Sequence, residues 1–543
     1  MHARILSGVC TVLAICLASQ TVAQERGYVP VTTSQTTLAS NAKAPLQEDE
    51  EKNLLAKQLD EFNRRLQALE TGAELTAEEQ QPGTYIDRIG SLEESILKTQ
   101  KVIDEIDDDM GMFAKMGHGD ETMTIFGRIH TDWWTFPNVD SSLYPLSPEA
   151  GSRENFGGEG PQSRILFRRM RIGVKGKVRD NMLYKIEMEF AGGRASSYRD
   201  AYLGFERLPL LQTLLIGNQK RPYGWDHLNS SRYNIFIERP FIVEALNQDS
   251  RRLGICSYGI SQDLRYNWRL GVYNQQLIQN QFGYFGNNLQ GELAGRFATT
   301  WWYDECSGGR GYGHFALSGS WGSPDGRNPD INQARYRTRP EARTTTRWLN
   351  TGRIAGASDS YLGGLEAVFN AGPVNLAAEF MGTAVSRKTL GARAVDDDVS
   401  FHGGYVQAAY FLTGEHMPWD RKTGCLGRIK PFENFFAVCD CDGFLQRGIG
   451  AWQVAARYSY ADFEDKDIYG GVGQSVTLGL NWYWNPYARM QLNYIFGSIQ
   501  DGPTNSNDPI TAQQFPPANP TTNSDLFASG DYQVLGLRFM IDF

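Results

Sequence analysis

The amino-acid sequence predicts an all-β fold: a 16-stranded antiparallel transmembrane β-barrel that follows an N-terminal periplasmic α-helical coiled coil. Three observations predict this fold class. The final segment alternates between an apolar and a charged face, about sixteen similar segments follow residue 122, and the connections between them alternate between long and short. Mean hydropathy is −0.42, so we expect no membrane helix beyond the N-terminus. A secreted β-sandwich or propeller would share this composition, so the strand pattern has to decide.

Residues 1–23 have the pattern of a secretory signal peptide, in which Arg4 precedes an apolar run and small residues from Thr21 to Ala23 form a cleavage site. We therefore expect export from a Gram-negative-type cytoplasm to the outer membrane.

The segment after the signal is predicted to be helical in part. Residues 24–47 are rich in Thr, Ser and Ala and are predicted to form a flexible tether. Residues 48–112 carry two heptad-like apolar seams, which predict a coiled coil; a helical hairpin that packs on itself is the alternative. A linker over 113–122 leads to the predicted barrel, 123–543.

Five cysteines remain after the signal peptide, and an odd number allows at most two internal disulfides. Cys439 and Cys441 could together bind a metal ion, but the sequence offers no second ligand pair. We therefore predict no metal site, and expect a disulfide or free thiols.

The last eleven residues illustrate the strand pattern. Every second residue from Leu535 to Phe543 is apolar, whereas Arg538 and Asp542 lie on the other face. Such a strand has apolar surroundings on one side and water on the other. A strand that ends on an aromatic residue is expected to close an outer-membrane barrel.

From residue 123 onward, the segments with strand-like alternation have the length that a tilted membrane strand needs. The predicted strands are 123–136, 164–178, 181–191, 198–207, 211–219, 251–262, 266–274, 291–304, 312–322, 359–371, 373–383, 401–413, 450–463, 472–484, 487–499 and 531–543.

Connection length gives a second test. With a periplasmic N-terminus, odd-numbered connections should be long outer loops and even-numbered ones short turns. The pattern holds except at 414–449, which should be a turn but is long.

Arginine dominates the positive charge of the predicted barrel. Residues 120–543 contain 42 Lys and Arg against 43 Asp and Glu, and 34 of the 42 are arginine. An arginine on the lipid face at mid-bilayer costs about 2–4 kcal/mol, so the strand arginines should face the lumen. Guanidinium groups suit phosphate and carboxylate ligands.

The sequence contains no recognisable catalytic constellation. Its seven histidines are scattered, and no Gly-rich phosphate loop or nucleophile elbow is present. We predict a pore rather than an enzyme, with no cofactor and no nucleic-acid partner.

Within 164–252, the order of short motifs resembles the phosphate-selective porin O/P family. The motifs are Phe167-Arg168-Arg169-Met-Arg171, Tyr184-Lys-Ile-Glu-Met-Glu-Phe, Asp200-Ala-Tyr-Leu, Ile216-Gly-Asn-Gln-Lys220-Arg-Pro-Tyr-Gly and Leu228-Asn-Ser230-Ser231-Arg232-Tyr-Asn-Ile-Phe-Ile-Glu238-Arg239. The resemblance implies a 16-stranded homotrimeric porin in outer-membrane lipid. It also implies that 220–250, 323–358 and 414–449 fold into the lumen, which would explain the long turn.

The resemblance further implies a constriction that binds inorganic phosphate or other small anions. By position, the anion-binding residues would be Arg128, Arg169, Lys220, Ser230, Ser231 and Arg239. Arg168 is a less certain neighbour, because simple alternation directs its side chain toward lipid or the rim.

Seven arginines between 327 and 353 suggest an electrostatic funnel, of which we single out four: Arg335, Arg337, Arg339 and Arg343. The alternative is that luminal arginines pair with carboxylates such as Glu187, Glu189 and Asp200 and only brace the wall. Two alternative functions are a general diffusion porin and a structural barrel whose coiled coil tethers the outer membrane.

Overall fold

The computed structural model describes residues 122–543 except for several short gaps. The gaps are 148–159, 180, 192–195, 249, 278–288, 329–330, 390–396, 440–444 and 505–526. The predicted signal peptide, tether and coiled coil, and the predicted linker up to residue 121, lie outside the described residues.

Sixteen antiparallel strands form one closed barrel, as the sequence predicts, and each pairs with its neighbours in the chain. The first strand pairs with the last, with Arg128 opposite Asp542. Labelled β1 to β16, the strands are Thr122–Val139, Arg164–Val178, Met182–Glu189, Ser197–Leu208, Gln212–Lys220, Arg251–Ile260, Tyr266–Asn274, Gly291–Tyr303, Gly311–Gly322, Ala357–Ala371, Val374–Arg387, Val399–Phe411, Ala451–Asp465, Ile468–Asn485, Ala488–Pro503 and Phe527–Asp542.

Burial along the strands is the reverse of that in a soluble protein. On β1, Ile129 and Trp133 are exposed on the outer surface, whereas Arg128, His130 and Asp132 between them are buried. Successive side chains of a strand point to opposite faces, so the polar set lines the interior and the apolar set forms the outer surface. On β1, Arg128 therefore lies on the inner face of the barrel.

The helices are short. In the described part of the chain they are a 3-10 helix at Ser141–Leu146 and two α-helices, α1 at Trp225–Leu228 and α2 at Phe241–Leu246. Within the described ranges, no helix has both the length and the apolar character needed to cross a membrane.

Three long connections make contacts inside the barrel over their described residues. We call them loop three (221–250, after β5), loop five (323–356, after β9) and turn six (412–450, after β12). Loop five contains one short two-stranded pair, Arg337–Thr338 with Leu349–Asn350. Turn six contains two, Trp419–Asp420 with Cys425–Leu426 and Phe436–Cys439 with Leu445–Gly448.

The alternation of connection lengths has a second exception that the sequence did not indicate. Strands β13 and β14 extend to Asp465 and Ile468, so this odd-numbered connection is only two residues long. Pairing between Asp465 and Ile468 keeps the two strands together up to the turn.

Loop three crosses the lumen and binds the opposite wall. Its backbone carbonyls accept hydrogen bonds from inward side chains of three strands: Asn481 to Ile235 O at 3.0 Å, Arg489 to Asn234 O at 2.7 Å, and Arg538 to Ile237 O at 2.7 Å. Donors on the wall thus satisfy loop backbone that would otherwise be buried without partners.

Loop five and the first half of turn six also lie inside the barrel. Glu341 of loop five pairs with Arg457 of β13 at 2.6 Å. In turn six, Trp419 donates its indole N–H to Thr300 of β8 at 3.1 Å, and Arg428 reaches Asp542 of β16 at 2.5 Å. Loops three and five and the first half of turn six therefore enter the lumen, as the family resemblance implied for these segments.

The apolar core also lies inside the barrel. Phe236 and Phe241 of loop three, Trp348 and Leu349 of loop five, and Phe463 of β13 belong to one buried cluster. This core fixes the loops against one side of the wall and leaves the polar cavity described next on the other.

Candidate functional site

A cavity of about 690 Å³ lies where loops three and five and turn six meet the first strands of the barrel. Fifteen Lys and Arg line it against five Asp and Glu, an excess of ten positive charges. Eight of the ten predicted site residues line it: Arg128, Arg169, Lys220, Ser230, Ser231, Arg239, Arg339 and Arg343. The other two, Arg335 and Arg337, line a smaller cavity of about 140 Å³.

Arg128 links the barrel wall to loop three. Its guanidinium donates to Glu187 Oε1 at 2.8 Å and to Ser231 Oγ at 2.9 Å, with Ser230 Oγ at 3.5 Å. The two serines predicted as anion donors therefore lie beside the predicted strand arginine, and one carboxylate offsets the charge of that arginine.

The expected direction of Arg168 is wrong. The β1–β2 register shifts between His130, which pairs with Arg169, and Thr131, which pairs with Phe167, so Arg168 is an extra residue. Such a β-bulge lets two consecutive side chains share a face. Arg168 and Arg169 therefore both point into the cavity.

Glu238 of loop three neutralises part of this charge. It accepts two hydrogen bonds from Arg168, at 2.6 and 3.0 Å, and one from Arg538 at 3.1 Å. Burial opposes its ionisation, but the charges of Arg168, Arg538 and Arg169 outweigh burial and hold the pKa of the carboxyl well below its usual value. Glu238 is therefore an anion throughout the physiological range.

Arg169, by contrast, has no carboxylate partner among the described residues. Its Nη1 atom lies 3.3 Å from His130 Nδ1, and its buried Nε atom has no hydrogen-bond partner. Across the described residues, no ion pair includes Arg169. Its side chain lines the cavity.

Arg343 and Arg347 of loop five also lack carboxylate partners among the described residues. Among the described residues, neither has an ion-pair or hydrogen-bond partner, and both line the large cavity. The charge of Arg168, followed by burial and Arg339, lowers the pKa of Arg343 to about 9. A shift of this kind reflects crowding of like charges, which a bound anion would relieve.

Lys220 and Arg239 direct most of their donors to loop three itself. Lys220 Nζ donates to the carbonyls of His227, Leu228 and Asn229 at 2.7–2.9 Å. Arg239 pairs with Asp226 at 2.9 Å and donates to the Asp226 and Asn229 carbonyls. Both residues lie at the cavity, but these contacts primarily position the loop.

Several other wall cations pair with carboxylates, as expected if luminal arginines only brace the wall. Arg171 pairs with Glu189 at 2.5 Å, and Asp200 accepts from Arg251 at 2.7 Å and from Lys185 at 2.5 Å. The luminal cations therefore fall into two groups, those paired with carboxylates and those left without one.

No metal site is found among the described residues. Cys256, Cys306 and Cys425 are free thiols, whereas Cys441 and the side chain of Cys439 lie outside the described part.

A model of the phosphate-selective porin O and P family matches residues 151–513, more than half of the chain. The chain belongs to this family. Membership in the porin O and P family and the closed barrel together place the protein in the outer membrane.

Two curated relatives match more weakly. An uncharacterized protein of Caulobacter vibrioides is 26% identical over 333 residues, which cover 60% of this chain and 62% of that protein. Porin O of Pseudomonas aeruginosa is 28% identical over 158 residues, 27% of this chain and 32% of that protein. The chain thus matches less than two thirds of the length of either relative.

Solved structures with a similar fold include OmpT, an outer membrane protein of Vibrio cholerae, at 11% identity over 79% of this chain and all of that chain, with a TM-score of 0.44. An anion-selective porin from Comamonas acidovorans is 13% identical over 78% of this chain and all of that chain, with a TM-score of 0.43.

Arg347 and Glu238 are among the cavity residues that the sequence analysis did not single out. Arg347 is one of the seven arginines between 327 and 353. The high arginine content of this segment was visible in the sequence, but it did not distinguish Arg347 from the other six. Glu238 gave no signal, because its role depends on loop three crossing to Arg538 on the last strand.

Proposed function

We propose that the protein is a passive, anion-preferring porin whose large cavity binds phosphate-class oxyanions weakly during passage. One observation supports this most directly: the cavity has an excess of ten positive charges, and Arg169, Arg343 and Arg347 lack carboxylate partners among the described residues. The proposal assigns anion binding to these three arginines, with Ser230, Ser231 and Arg128 beside them.

The physical argument is electrostatic. A narrow passage with low-dielectric walls and unpaired guanidiniums has a positive potential that attracts anions and repels cations. The forked N–H donors of arginine and the serine hydroxyls replace part of the water that the anion loses. Binding spread over several arginines stays weak at each, so that the ion can leave.

Planar-bilayer recordings test the two parts of the proposal separately. The reversal potential in asymmetric KCl measures anion preference, and titration of phosphate against chloride current measures binding. We expect Arg169→Gln and Arg343→Gln each to raise the phosphate concentration for half-block by about tenfold. This change corresponds to the loss of about 1.4 kcal/mol of binding free energy from one charge-assisted contact.

Arg265→Gln is the matched control, because Arg265 is exposed on a short turn and its removal takes away the same charge outside the cavity. Unchanged half-block in both cavity variants would remove the phosphate site. A reversal potential near zero in the wild type would instead favour a general diffusion porin, which the carboxylate-braced wall arginines also support.

The assembly of the protein is also a proposal. We infer a homotrimer in outer-membrane lipid, with residues 48–112 as a periplasmic coiled coil. Native mass spectrometry of the detergent-solubilised protein, with and without residues 24–119, tests this. Three copies in both forms would assign trimerisation to the barrel, and intact conductance with lost envelope anchoring would assign tethering to the N-terminal segment.

A further inference from the structure

Turn six does not remain inside the barrel. Its first half lies in the lumen, where Thr423 and Leu426 line the large cavity and Arg428 reaches Asp542. By Phe435 the chain has passed over the rim, because the Phe435 N–H donates to Trp484 O at 2.6 Å and the Phe435 ring meets the ring of Trp482 with centroids 4.5 Å apart.

The rings that meet turn six belong to the outer surface of the barrel. Trp482 and Trp484 alternate along β14 with the buried Asn481 and Tyr483, so both tryptophans point outward. Trp452 of β13 stacks on Trp482 at a centroid distance of 4.8 Å. Outward tryptophans at the end of membrane strands mark the level where acyl chains meet headgroups.

Turn six is also fastened to this group of tryptophans where it returns. The carbonyl of Ile449 accepts the indole N–H of Trp452 at 3.2 Å and that of Trp482 at 2.9 Å. The chain on both sides of the excursion is thus fixed to the outer face of β13 and β14.

Five apolar side chains are left exposed beside these tryptophans. We call them the rim patch: Leu412, Phe432, Phe435, Phe436 and Ile449. Phe436 is 73% exposed, Phe432 66% and Ile449 58%. Among the exposed residues near the patch, Lys430 and Arg447 are cationic and Glu433 is anionic.

We propose that the rim patch inserts into the headgroup and acyl-chain boundary of the phospholipid leaflet that surrounds the short-turn end of the barrel. The patch continues the lipid-facing surface directly, since Phe435 packs on Trp482. Exposed aromatic rings beside cationic side chains are the combination that binds anionic phospholipid interfaces. This inference depends on the outer-membrane location and not on anion passage.

Insertion would hold turn six from both ends. The luminal half is bound to the wall through Trp419 and Arg428, and the outer half would be bound to the bilayer. The segment that lines the cavity would therefore be kept in place by lipid as well as by protein.

Photocrosslinking in intact cells tests the proposal. The photoreactive residue p-benzoylphenylalanine replaces Phe436, or Phe432 as a second reporter, in the full-length chain, and mass spectrometry of the purified protein identifies adducts. Phe297, exposed on the outer face of β8, is the positive control for lipid contact. Glu305, exposed on the turn 304–310 at the same end, is the negative control.

We expect phospholipid adducts at Phe436, Phe432 and Phe297 and none at Glu305, in protein whose heat-modifiable gel mobility shows a folded barrel. Folded protein without lipid adducts at the two rim positions would overturn the proposal. Adducts to a second copy or to a periplasmic protein would overturn it as well, and so would an equal lipid yield at Glu305.

Discussion

Glu238 is the residue that sets how much of the positive charge in the cavity is left for a ligand. It is the carboxylate of loop three that contacts both Arg168 and Arg538, and its depressed pKa keeps it ionised. By linkage, the stability gained from these contacts is fully present above the ordinary glutamate pKa and is lost only as the pH falls through the lower folded value.

Replacing Glu238 with glutamine should strengthen anion binding. The substitution adds one net positive charge to the cavity wall. At a partly screened distance, we expect this charge to strengthen phosphate binding by about 1 kcal/mol. The phosphate concentration for half-block should therefore fall roughly fivefold. Phosphate titration of single-channel chloride current measures it.

Asp467→Asn is the matched control for Glu238→Gln, because Asp467 pairs with Arg387 at 2.7 Å outside the cavity. Weaker block in Glu238→Gln would mean that Glu238 orients the arginines for the ligand rather than competing with it.

The sequence predicted which arginines face the lumen wherever alternation is regular, as at Arg128. It misplaced Arg168, although the strand does contain a signal: the outward apolar positions are odd at Ile165 and Phe167 and even at Met170 and Ile172. That change of parity marks the bulge. Loop contacts could not be foreseen in this way, because Lys220 and Arg239 meet partners whose positions only the folded loop defines.

At the scale of elements, loop three is held at its start by one lysine. Lys220, at the end of β5, donates to the carbonyls of His227 and Leu228 at the end of α1 and of Asn229, the residue that follows. The last carbonyls of a helix have no partner within it. A cation is favourable at a helix C-terminus, and three donors match three acceptors.

Lys220→Met should loosen loop three without removing a free anion ligand. Each buried carbonyl left without a partner costs about 1–3 kcal/mol, so we expect noisier single-channel currents and faster proteolysis of loop three. The shift in phosphate half-block should be smaller than for Arg169→Gln.

Lys177→Met provides the comparison, because Lys177 pairs with Glu206 and is much more exposed. If Lys220→Met weakened phosphate block as strongly as Arg169→Gln while the current noise stayed at the wild-type level, Lys220 would be a ligand after all.

Element prediction succeeded for the barrel because each strand has to meet lipid and water on opposite faces. It failed for the connection at 466–467, where β13 and β14 extend past the expected strand ends. Polar contacts from neighbouring strands hold this end in place. The backbone N–H of Ser400 in β12 donates to Asp465 at 2.7 Å, and Arg387 of β11 pairs with Asp467. Such rim contacts follow no period of two.

For the whole molecule, selectivity by charge should depend on ionic strength. The electrostatic screening length falls from about 10 Å at 0.1 M salt to about 3 Å at 1 M, so distant arginines stop contributing at high salt. We expect the anion-to-cation permeability ratio, from reversal potentials, to fall over this range. A ratio that does not change would point to selection by pore size.

The bulge at Arg168 has an evolutionary consequence. If the codon for Arg168 were deleted, Phe167 would still face outward and Arg169 inward, and the ladder between the first two strands would become regular, with His130 and Thr131 keeping their partners. A descendant of this chain can thus gain or lose a luminal cation through a single-codon insertion or deletion that reverses no other side chain. Indels, and not only substitutions, are a route by which such channels can drift in ion preference.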